Sequence, residues 1–208
     1  AVALGLALLM NNRLPMTGLW RGLVLLPVAI PQSVSAVVWG VAYRPDGLLN
    51  ALLATVGIAP QPFLTESTPA FFSIMLVVSW IGVGYWMTML ITGLQDIPQS
   101  LYEAVTIDGA NRWQRFRYVT LPQLRRPLTF VLVADTVANF LIFAPVQILT
   151  KGGPQGGTNL IMNDIYTRAF EQADRGGAAA ATVVLVTLVL VIVSVQFRLM
   201  SPRGGEQR

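Results

Sequence analysis

Long stretches without charge constrain this chain more than any other feature. No charged residue occurs from Gly22 to Tyr43, from Ala70 to Leu94 or from Gly177 to Phe197, and the run from Leu128 to Leu149 contains one acid, Asp135. A helix needs about 20 predominantly apolar residues to cross the roughly 30 Å hydrocarbon core of a bilayer. With the apolar run Ala1–Met10 as a partial first span, the sequence predicts an all-α, polytopic transmembrane helical bundle of about five spans.

Composition supports a membrane protein and narrows the possible chemistry. Charged residues make up 12% of the chain, about half the fraction usual in soluble domains. Cysteine and histidine are absent, which excludes disulfides, thiolate nucleophiles and the commonest metal ligand and general base. We therefore predict no catalytic residue and no metal site in this chain. In a membrane chain the net charge of +4 reports topology, so we do not predict nucleic-acid binding.

The arginines predict which connections face the cytoplasm, because positive charge is enriched on that side of a membrane. Three regions have more arginine than acid, whereas the connections 44–69 and 150–176 are mixed or acidic. With four full spans after the first loop, these three regions must share one side. They are the 11–21 loop with Arg13 and Arg21, the segment 99–122 continuing to Arg125 and Arg126, and the C-terminal tail with Arg198, Arg203 and Arg208.

The polar segment 99–122 predicts two short helices joined by a bend. Ser100 and Glu103 have the spacing of an N-terminal capping box, and Gly109 interrupts the helical pattern. Trp113 and Phe116 are three residues apart and should share a face. Pro122 and Pro127 are expected to delay the next span. Such a helical pair could fill a groove on a partner, or it could bind anionic lipid headgroups, with Glu103 serving only as a cap.

The same segment resembles a known motif. Glu103-Ala104-Val105, Gly109 and Val119-x-Leu121-Pro122 are similar to the EAA loop of ATP-binding-cassette (ABC) importer permeases, E-A-A-x3-G-x9-I-x-L-P, with valine at positions 105 and 119 as the departures. Asp108-Gly109-Ala110 resembles the carbohydrate branch, and the run from Thr150 to Pro154 resembles the T-x-G-G-P turn of maltose-type permeases. The resemblance covers essentially the whole chain, with the family's first helix apparently missing upstream.

The resemblance implies a type I ABC importer permease in the inner membrane of a prokaryote. Residues 1–208 would be a single permease domain, and 99–122 the cytoplasmic coupling loop. The implied partners are a second permease subunit, as a heterodimer, two cytoplasmic ATPase subunits that carry ATP and magnesium, and an extracytoplasmic solute-binding protein. This chain would hold no cofactor and would not be an enzyme. The implied coupling residues are Glu103, Ala104, Asp108, Gly109, Ala110, Arg112, Trp113, Phe116, Leu121 and Pro122.

Candidate residues for the substrate path lie within two spans. Asp135 and Asn139 are four residues apart and share a helical face, and an ionisable residue inside a span is a functional candidate. Asp135 could instead pair with a polar group and fix helix packing. The preceding span contributes Trp80, Gly82 and Tyr85, which could bind a sugar or simply pack the bundle. The resemblance favours Gly82, Tyr85 and Asn139 as pore-lining residues.

The solute is predicted only as a class. Lysine and arginine are absent from 22–43, 70–111 and 128–150, which favours a neutral solute such as a sugar. The alternative is the same architecture importing glycerol-3-phosphate or glycerophosphodiesters, and a membrane-embedded enzyme or a structural scaffold is less favoured. Two connecting segments are also predicted to be amphipathic. Leu48–Val56 is a candidate interfacial helix, and Asn159–Gln172 either meets a binding protein or forms a solvated rim.

Overall fold

The computed structural model of the chain describes residues 1–11 and 16–200. These residues form helices joined by turns, and no strand occurs among them, which confirms the all-α prediction. Arg13 and the tail residues Arg203 and Arg208, used above to predict topology, lie outside the described residues. In chain order the α-helices are α1 Val2–Met10, α2 Thr17–Leu25, α3 Gln32–Ala42, α4 Leu48–Thr55, α5 Ser67–Gln95, α6 Gln99–Ile107, α7 Arg112–Arg115, α8 Leu121–Gln123, α9 Arg125–Phe140, α10 Ala144–Leu149, α11 Ile161–Tyr166 and α12 Arg175–Met200.

By length and composition, the described residues contain three helical segments able to cross a membrane. They are α5, the segment Arg125–Leu149 formed by α9 and α10, and α12. A fourth is present if Thr17–Ala29 and Gln32–Ala42 are counted as one broken span. The fifth predicted span is represented by α1, whose nine residues are too few to cross by themselves.

Two prolines explain the break in the second span. Pro27 lies in a 3₁₀ turn, Leu26–Ala29, and Pro31 is the N-cap of α3. Neither proline has an N–H to donate, so an uninterrupted ladder of helical hydrogen bonds cannot form here. The Ile30 N–H instead donates to the Pro27 carbonyl at 3.2 Å. The uncharged run 22–43 is therefore divided between α2 and α3, and most of its residues are exposed.

The chain groups into two compact units that interleave in sequence. One unit comprises Ala1–Leu25, Val83–Val137 and Leu190–Arg208, and the other comprises Leu26–Gly82 and Ala138–Val189. Neither unit is a continuous stretch of sequence, and α5, α9 and α12 each contribute to both. The single permease domain over 1–208 therefore stays a prediction.

The first unit has an aliphatic core with two close helix contacts at glycines. Met87, Leu90 and Leu124 are fully buried in this core. A Cβ atom at Gly84 would overlap the Val24 carbonyl oxygen of α2, and one at Gly93 would lie 2.6 Å from the Pro127 ring. Small residues allow helix backbones to approach closely in membranes, so Gly84 sets the distance between α2 and α5.

We expect Gly84→Ala to destabilise the protein. The new methyl group meets backbone atoms of α2, which cannot move aside like a flexible side chain, so the cost should be at least about 1–3 kcal/mol. The measurement is the thermal midpoint of unfolding in detergent. Gly22→Ala is the matched control, because a Cβ at Gly22 meets no atom within 4 Å and alanine has the higher helix propensity. A Gly84→Ala protein with the same thermal midpoint of unfolding as the parent would contradict this account.

The second unit is organised around a cluster of aromatic rings. Trp39 packs edge-on against Trp80 at 5.5 Å between ring centroids, and Tyr43 packs against Trp39 and Phe63 at 5.4 and 5.1 Å. The Tyr43 hydroxyl donates to the Ser73 carbonyl at 3.2 Å, and the Ser73 hydroxyl donates to the Phe63 carbonyl at 3.0 Å. These contacts fasten the end of α3 and the connection that follows it to α5.

Candidate functional site

The segment 99–122 forms two short helices joined at Gly109. After α6 ends, Gly109 has a φ of +79°. Its N–H donates to the Thr106 carbonyl, and the Ala110 N–H donates to the Val105 carbonyl, both at 3.0 Å. This is the hydrogen-bond pattern of a Schellman motif, whose left-handed residue is usually glycine. The predicted bend is confirmed, and its backbone conformation is the physical reason for glycine.

The predicted capping box at Ser100 and Glu103 is wrong. Helix α6 begins at Gln99 with Pro98 as its N-cap, and no side chain caps it, so Ser100 already lies inside the first turn. A capping box is present one helix later. The Asn111 N–H donates to Gln114 Oε1 at 2.8 Å, and the Gln114 N–H donates to Asn111 Oδ1 at 2.9 Å. The N-x-x-Q spacing, a variant of the same motif, could have revealed this start.

Helical structure continues through the prolines that were expected to delay it. A π-helical turn, Phe116–Thr120, follows α7, and the Leu121 N–H reaches back five residues to the Phe116 carbonyl. The wider turn ends at Thr120, and Pro122 is the second residue of α8. Helix α9 then begins at Arg125, so the predicted delay by Pro127 is wrong. Pro127 lies in the first turn, where proline is tolerated because those N–H groups lack intrahelical partners.

The two arms of the segment are fastened to each other. The hydroxyls of Tyr102 on α6 and Thr120 in the π-turn are 3.0 Å apart and hydrogen-bonded. Tyr102 and Val105 also pack against the core of the first unit, in which Val119 is buried. A hydrogen bond and apolar packing together make the pair of arms one rigid piece, so a force applied to one arm would reach the other.

Three large apolar side chains are exposed on the outer surface of this segment. Ile107 is 87% exposed, Trp113 68% and Tyr118 71%. Trp113 and Phe116 have ring centroids 5.7 Å apart, which confirms their predicted shared face. Of the predicted coupling residues, Ala110, Phe116 and Leu121 are half-buried, and the exposed ones are Glu103, Ala104, Asp108, Gly109, Arg112, Trp113 and Pro122. Large exposed apolar residues with flanking charges are typical of a protein-binding surface.

A cavity of about 220 Å³ lies within the second unit. Asn139 of α9 contributes to its wall, as do Ser79 of α5 and Thr158 of the loop that follows α10. The lining contains no ionisable side chain. A mostly apolar cavity with a few polar groups is the usual form of a small-molecule site. Its complete lining is Phe71, Ile74, Met75, Val78, Ser79, Asn139, Ile142, Val146, Thr158 and Leu160.

The other predicted path residues do not line this cavity. Trp80 packs against Trp39, as described above, which favours its packing role. Tyr85 is 40% exposed and contacts Trp86 edge-on at 4.8 Å. Gly82 is half-buried, and Asp135 lies on α9 four residues before Asn139. Their roles in a substrate path stay predictions.

Residues of the 150–163 loop were not predicted as part of a site. The Thr158 hydroxyl donates to the Gly153 carbonyl at 2.6 Å and is 2.7 Å from the Thr150 hydroxyl. Gly152 has a φ of +86°, and a Cβ there would lie 2.8 Å from Nδ2 of the buried Asn163. The glycine-rich turn therefore holds Thr158 at the cavity wall. The T-x-G-G-P pattern located this turn, but nothing in the sequence paired it with α5 and α9.

The chain belongs to the family described as binding-protein-dependent transport system inner membrane component, whose profile matches residues 1–204. It is 36% identical over 190 residues to the trehalose/maltose transport system permease protein MalF of Thermococcus litoralis, covering 91% of this chain and 64% of that protein. It is 31% identical to the sn-glycerol-3-phosphate transport system permease protein UgpA of Agrobacterium fabrum, covering 97% of this chain and 71% of that protein.

The fold is that of a chain in a transporter of known structure. A bacterial alginate ABC transporter, solved in complex with an alginate pentasaccharide-bound periplasmic protein, contains a chain that matches with a TM-score of 0.84 and 23% identity. The match covers 96% of this chain and 71% of that one. The present chain spans about two thirds of the length of these relatives, 64% in the case of MalF. It is thus a multi-pass inner-membrane component of a transport system.

Proposed function

We propose that the chain is the membrane-spanning permease subunit of an ATP-driven importer. Its relatives MalF and UgpA are named as permease proteins of transport systems. The observation that carries the proposal is the helical pair 99–122. It turns at Gly109 through a Schellman motif, a hydrogen bond between Tyr102 and Thr120 joins its two helical parts, and Trp113 is exposed on its surface. A rigid projection with an exposed apolar tip is suited to transmit movement from a partner to the helices that follow it.

The partner of this projection is an ATPase subunit. The sequence contains no G-x-x-x-x-G-K-[ST] phosphate loop, which an ATPase of this class requires. ATP and magnesium therefore bind to two partner subunits, and this chain is not itself an enzyme. Closure of the ATPases pushes the projection, and the spans respond by changing the side on which the substrate path opens. The projection and the C-terminus accordingly face the cytoplasm, as the excess of arginine in both regions predicts.

The solute is a neutral sugar or a related polar compound. In the cavity of the second unit, the polar part of the lining is Ser79, Asn139 and Thr158, whose hydroxyl and amide groups are of the kind that bond to sugar hydroxyls. Phe71, Met75 and Ile142 offer apolar surface. The similarity to UgpA supports a second candidate, glycerol-3-phosphate. The cavity lining includes neither lysine nor arginine, the residues that commonly bind phosphate, and therefore favours the neutral solute.

An extracytoplasmic binding protein delivers the solute, and a second permease completes the pathway as a heterodimer. The alginate transporter that shares the fold was solved with a periplasmic protein bound. In this chain, the segment Ile161–Glu171 presents Phe170, which is 75% exposed. Arg168 donates to Asp164 at 2.7 Å, and this carboxylate raises the pKa of the Arg168 guanidinium. An exposed aromatic beside paired charges suits contact with a soluble protein.

Cross-linking from single cysteines tests this arrangement. The chain has no cysteine, so Trp113→Cys introduces one reactive thiol at the exposed tip of the projection. In the assembled transporter, we expect a bifunctional thiol-to-amine reagent to link this position to an ATPase subunit. Phe170→Cys is the matched control, being similarly exposed, and should link to the binding protein or to nothing. Links from position 113 to the binding protein, or a thiol there left accessible in the complete assembly, would contradict the proposal.

A further inference from the structure

Helix α4 has the reverse of the burial pattern expected for a helix in water. Of its two polar residues, Thr55 is exposed but Asn50 is only 3% exposed, whereas Leu48, Leu52 and Val56 are 64%, 55% and 69% exposed. A helix on a protein surface normally buries its apolar face and exposes its polar one. The observed pattern therefore requires an apolar environment outside the protein at this helix.

The buried face of α4 is held firmly, so the exposure of the apolar face is not due to loose packing. Asn50 Nδ2 donates to the carbonyls of Arg44 and Gln61, both at 3.2 Å, and Asn50 Oδ1 accepts from the Gln61 N–H at 2.7 Å. Leu49 packs on the aromatic cluster of the second unit. The rotation of α4 about its own axis is fixed by these contacts.

The large apolar side chains exposed on α4 form one stripe, and Thr55, exposed on the same face, donates its hydroxyl back to the Leu52 carbonyl at 2.7 Å. Leu48, Leu52 and Val56 are spaced by four residues, so they lie within one face of the helix. Gly57, with a φ of +76°, then reverses the chain through a second Schellman turn in which the Ile58 N–H donates to the Leu53 carbonyl at 3.0 Å. Ile58, 46% exposed, follows directly. A helix of eight residues is about 12 Å long, which is too short to span a bilayer. The exposed apolar residues run from its first residue, Leu48, to its C-cap, Val56, so the whole length of the helix borders the apolar environment.

The attachment of this connection to α5 gives its depth. Tyr43 and Phe63, on either side of α4, both hydrogen-bond to Ser73. The 29 residues of α5 extend about 43 Å, whereas the hydrocarbon core is about 30 Å thick. If the helix is centred in the bilayer, its hydrocarbon-embedded part begins about one turn after Ser67. Ser73 then lies close to the boundary between headgroups and acyl chains.

We propose that α4 is an interfacial helix that inserts the stripe Leu48, Leu52, Val56 and Ile58 between lipid acyl chains at this boundary. Apart from Thr55, whose hydroxyl is hydrogen-bonded within the helix, this face is aliphatic and lacks the aromatic and arginine side chains that are enriched at protein interfaces. The nearby polar side chains lie off the stripe. Arg44 and Asp46 precede the helix, and the Asn50 amide is hydrogen-bonded on the buried face. Helices with one aliphatic face and one polar or anchored face lie in the plane of the membrane surface in this way. The two membrane-spanning regions that flank α4 keep it there.

Spin-label accessibility in the complete transporter tests the proposal. Single cysteines at Leu52 and at Ala54 would carry a nitroxide, with the protein in nanodiscs of phosphatidylethanolamine and phosphatidylglycerol. Position 52 is central to the stripe, and the exposed Ala54 is nearly opposite on the helix, so it is the matched control. We expect the label at 52 to collide more often with oxygen than with a water-soluble nickel complex, and the label at 54 to show the reverse order.

Other outcomes would overturn the proposal. A label at position 52 that is more accessible to nickel than to oxygen places the stripe in water. A label there that is immobile and shielded from both reagents places it against a protein, either the second permease or a binding protein. The same measurement with and without the binding protein distinguishes these two contacts. Only shielding by the binding protein would disappear when that protein is left out. ATP-driven uptake by the labelled proteins is measured in parallel, so the result for α4 does not depend on that for the transport function.

Discussion

Gly109→Val is expected to reduce transport-coupled ATP hydrolysis by about tenfold or more without loss of the assembled transporter. Left-handed backbone costs an L-amino acid about 1–2 kcal/mol, and more for a β-branched one. A Cβ at Gly109 meets no atom within 4 Å, so the valine does not clash and the effect arises from φ alone. The Schellman turn should open, and the angle between α6 and α7 should change. The measurement is ATPase activity stimulated by binding protein and solute in proteoliposomes.

A matched substitution separates backbone conformation from side-chain bulk. Asparagine occupies the left-handed region more readily than other non-glycine residues, so Gly109→Asn should keep most of the coupled activity although it is about as large as valine. Coupled ATP hydrolysis is therefore expected to decrease in the order glycine, asparagine, alanine, valine at position 109. A valine variant with the activity of the parent would rule out the projection as the coupling element. Equal losses for asparagine and valine would indicate that position 109 tolerates no side chain, for reasons of contact with the partner.

Asn139→Leu is expected to lower solute uptake by about tenfold to a hundredfold. Leucine removes the amide, so a solute hydroxyl that bonds to Asn139 would be left without its partner inside the cavity, at a cost of about 1–3 kcal/mol. The loss should appear as reduced uptake of radiolabelled solute in proteoliposomes. Basal ATP hydrolysis without solute should be unchanged, because Asn139 lines the cavity and is not part of the proposed coupling segment 99–122.

The control for Asn139 is a substitution in the same cavity that removes no polar group. Met75→Leu changes another lining residue while keeping similar size and polarity, so uptake should stay near that of the parent. Wild-type uptake by Asn139→Leu would exclude this residue from the substrate path. Similar losses in both variants would mean that the shape of the cavity matters and the amide of Asn139 does not.

The spans and the Gly109 bend were predictable from the sequence because each depends on local properties. Hydrophobic length alone predicts that Ala70–Leu94 crosses a membrane, and the structure extends that helix by only a few residues to Ser67–Gln95. Pro27 and Pro31 interrupt their span because proline has no backbone N–H to donate, and this does not depend on neighbouring helices. Gly109 interrupts a helix through its own backbone freedom. These effects act within a few residues of the chain, so they can be read without the fold.

The wrong predictions concern helix boundaries, where several local signals compete. Ser100 and Glu103 have the spacing of a capping box, but the N-cap of α6 is Pro98, two residues earlier, which leaves Ser100 inside the helix. The prolines 122 and 127 were expected to hold back the next span. The π-turn Phe116–Thr120 and the first-turn position of Pro127 accommodate both. Spacing alone does not decide which of several nearby residues becomes the N-cap.

The sequence by itself determined the helical membrane class, the family and the bend at Gly109, because hydrophobic length, motif spacing and the backbone freedom of glycine are all properties of the linear chain. Only the tertiary structure decided which side chains meet. It joined Asn139 to Ser79 and Thr158 around one cavity, placed Trp80 against Trp39, and turned Asn50 inward so that Leu52 faces outward. Such contacts depend on how helices rotate and cross. That choice is made by packing between residues far apart in the sequence, which helical periodicity cannot specify.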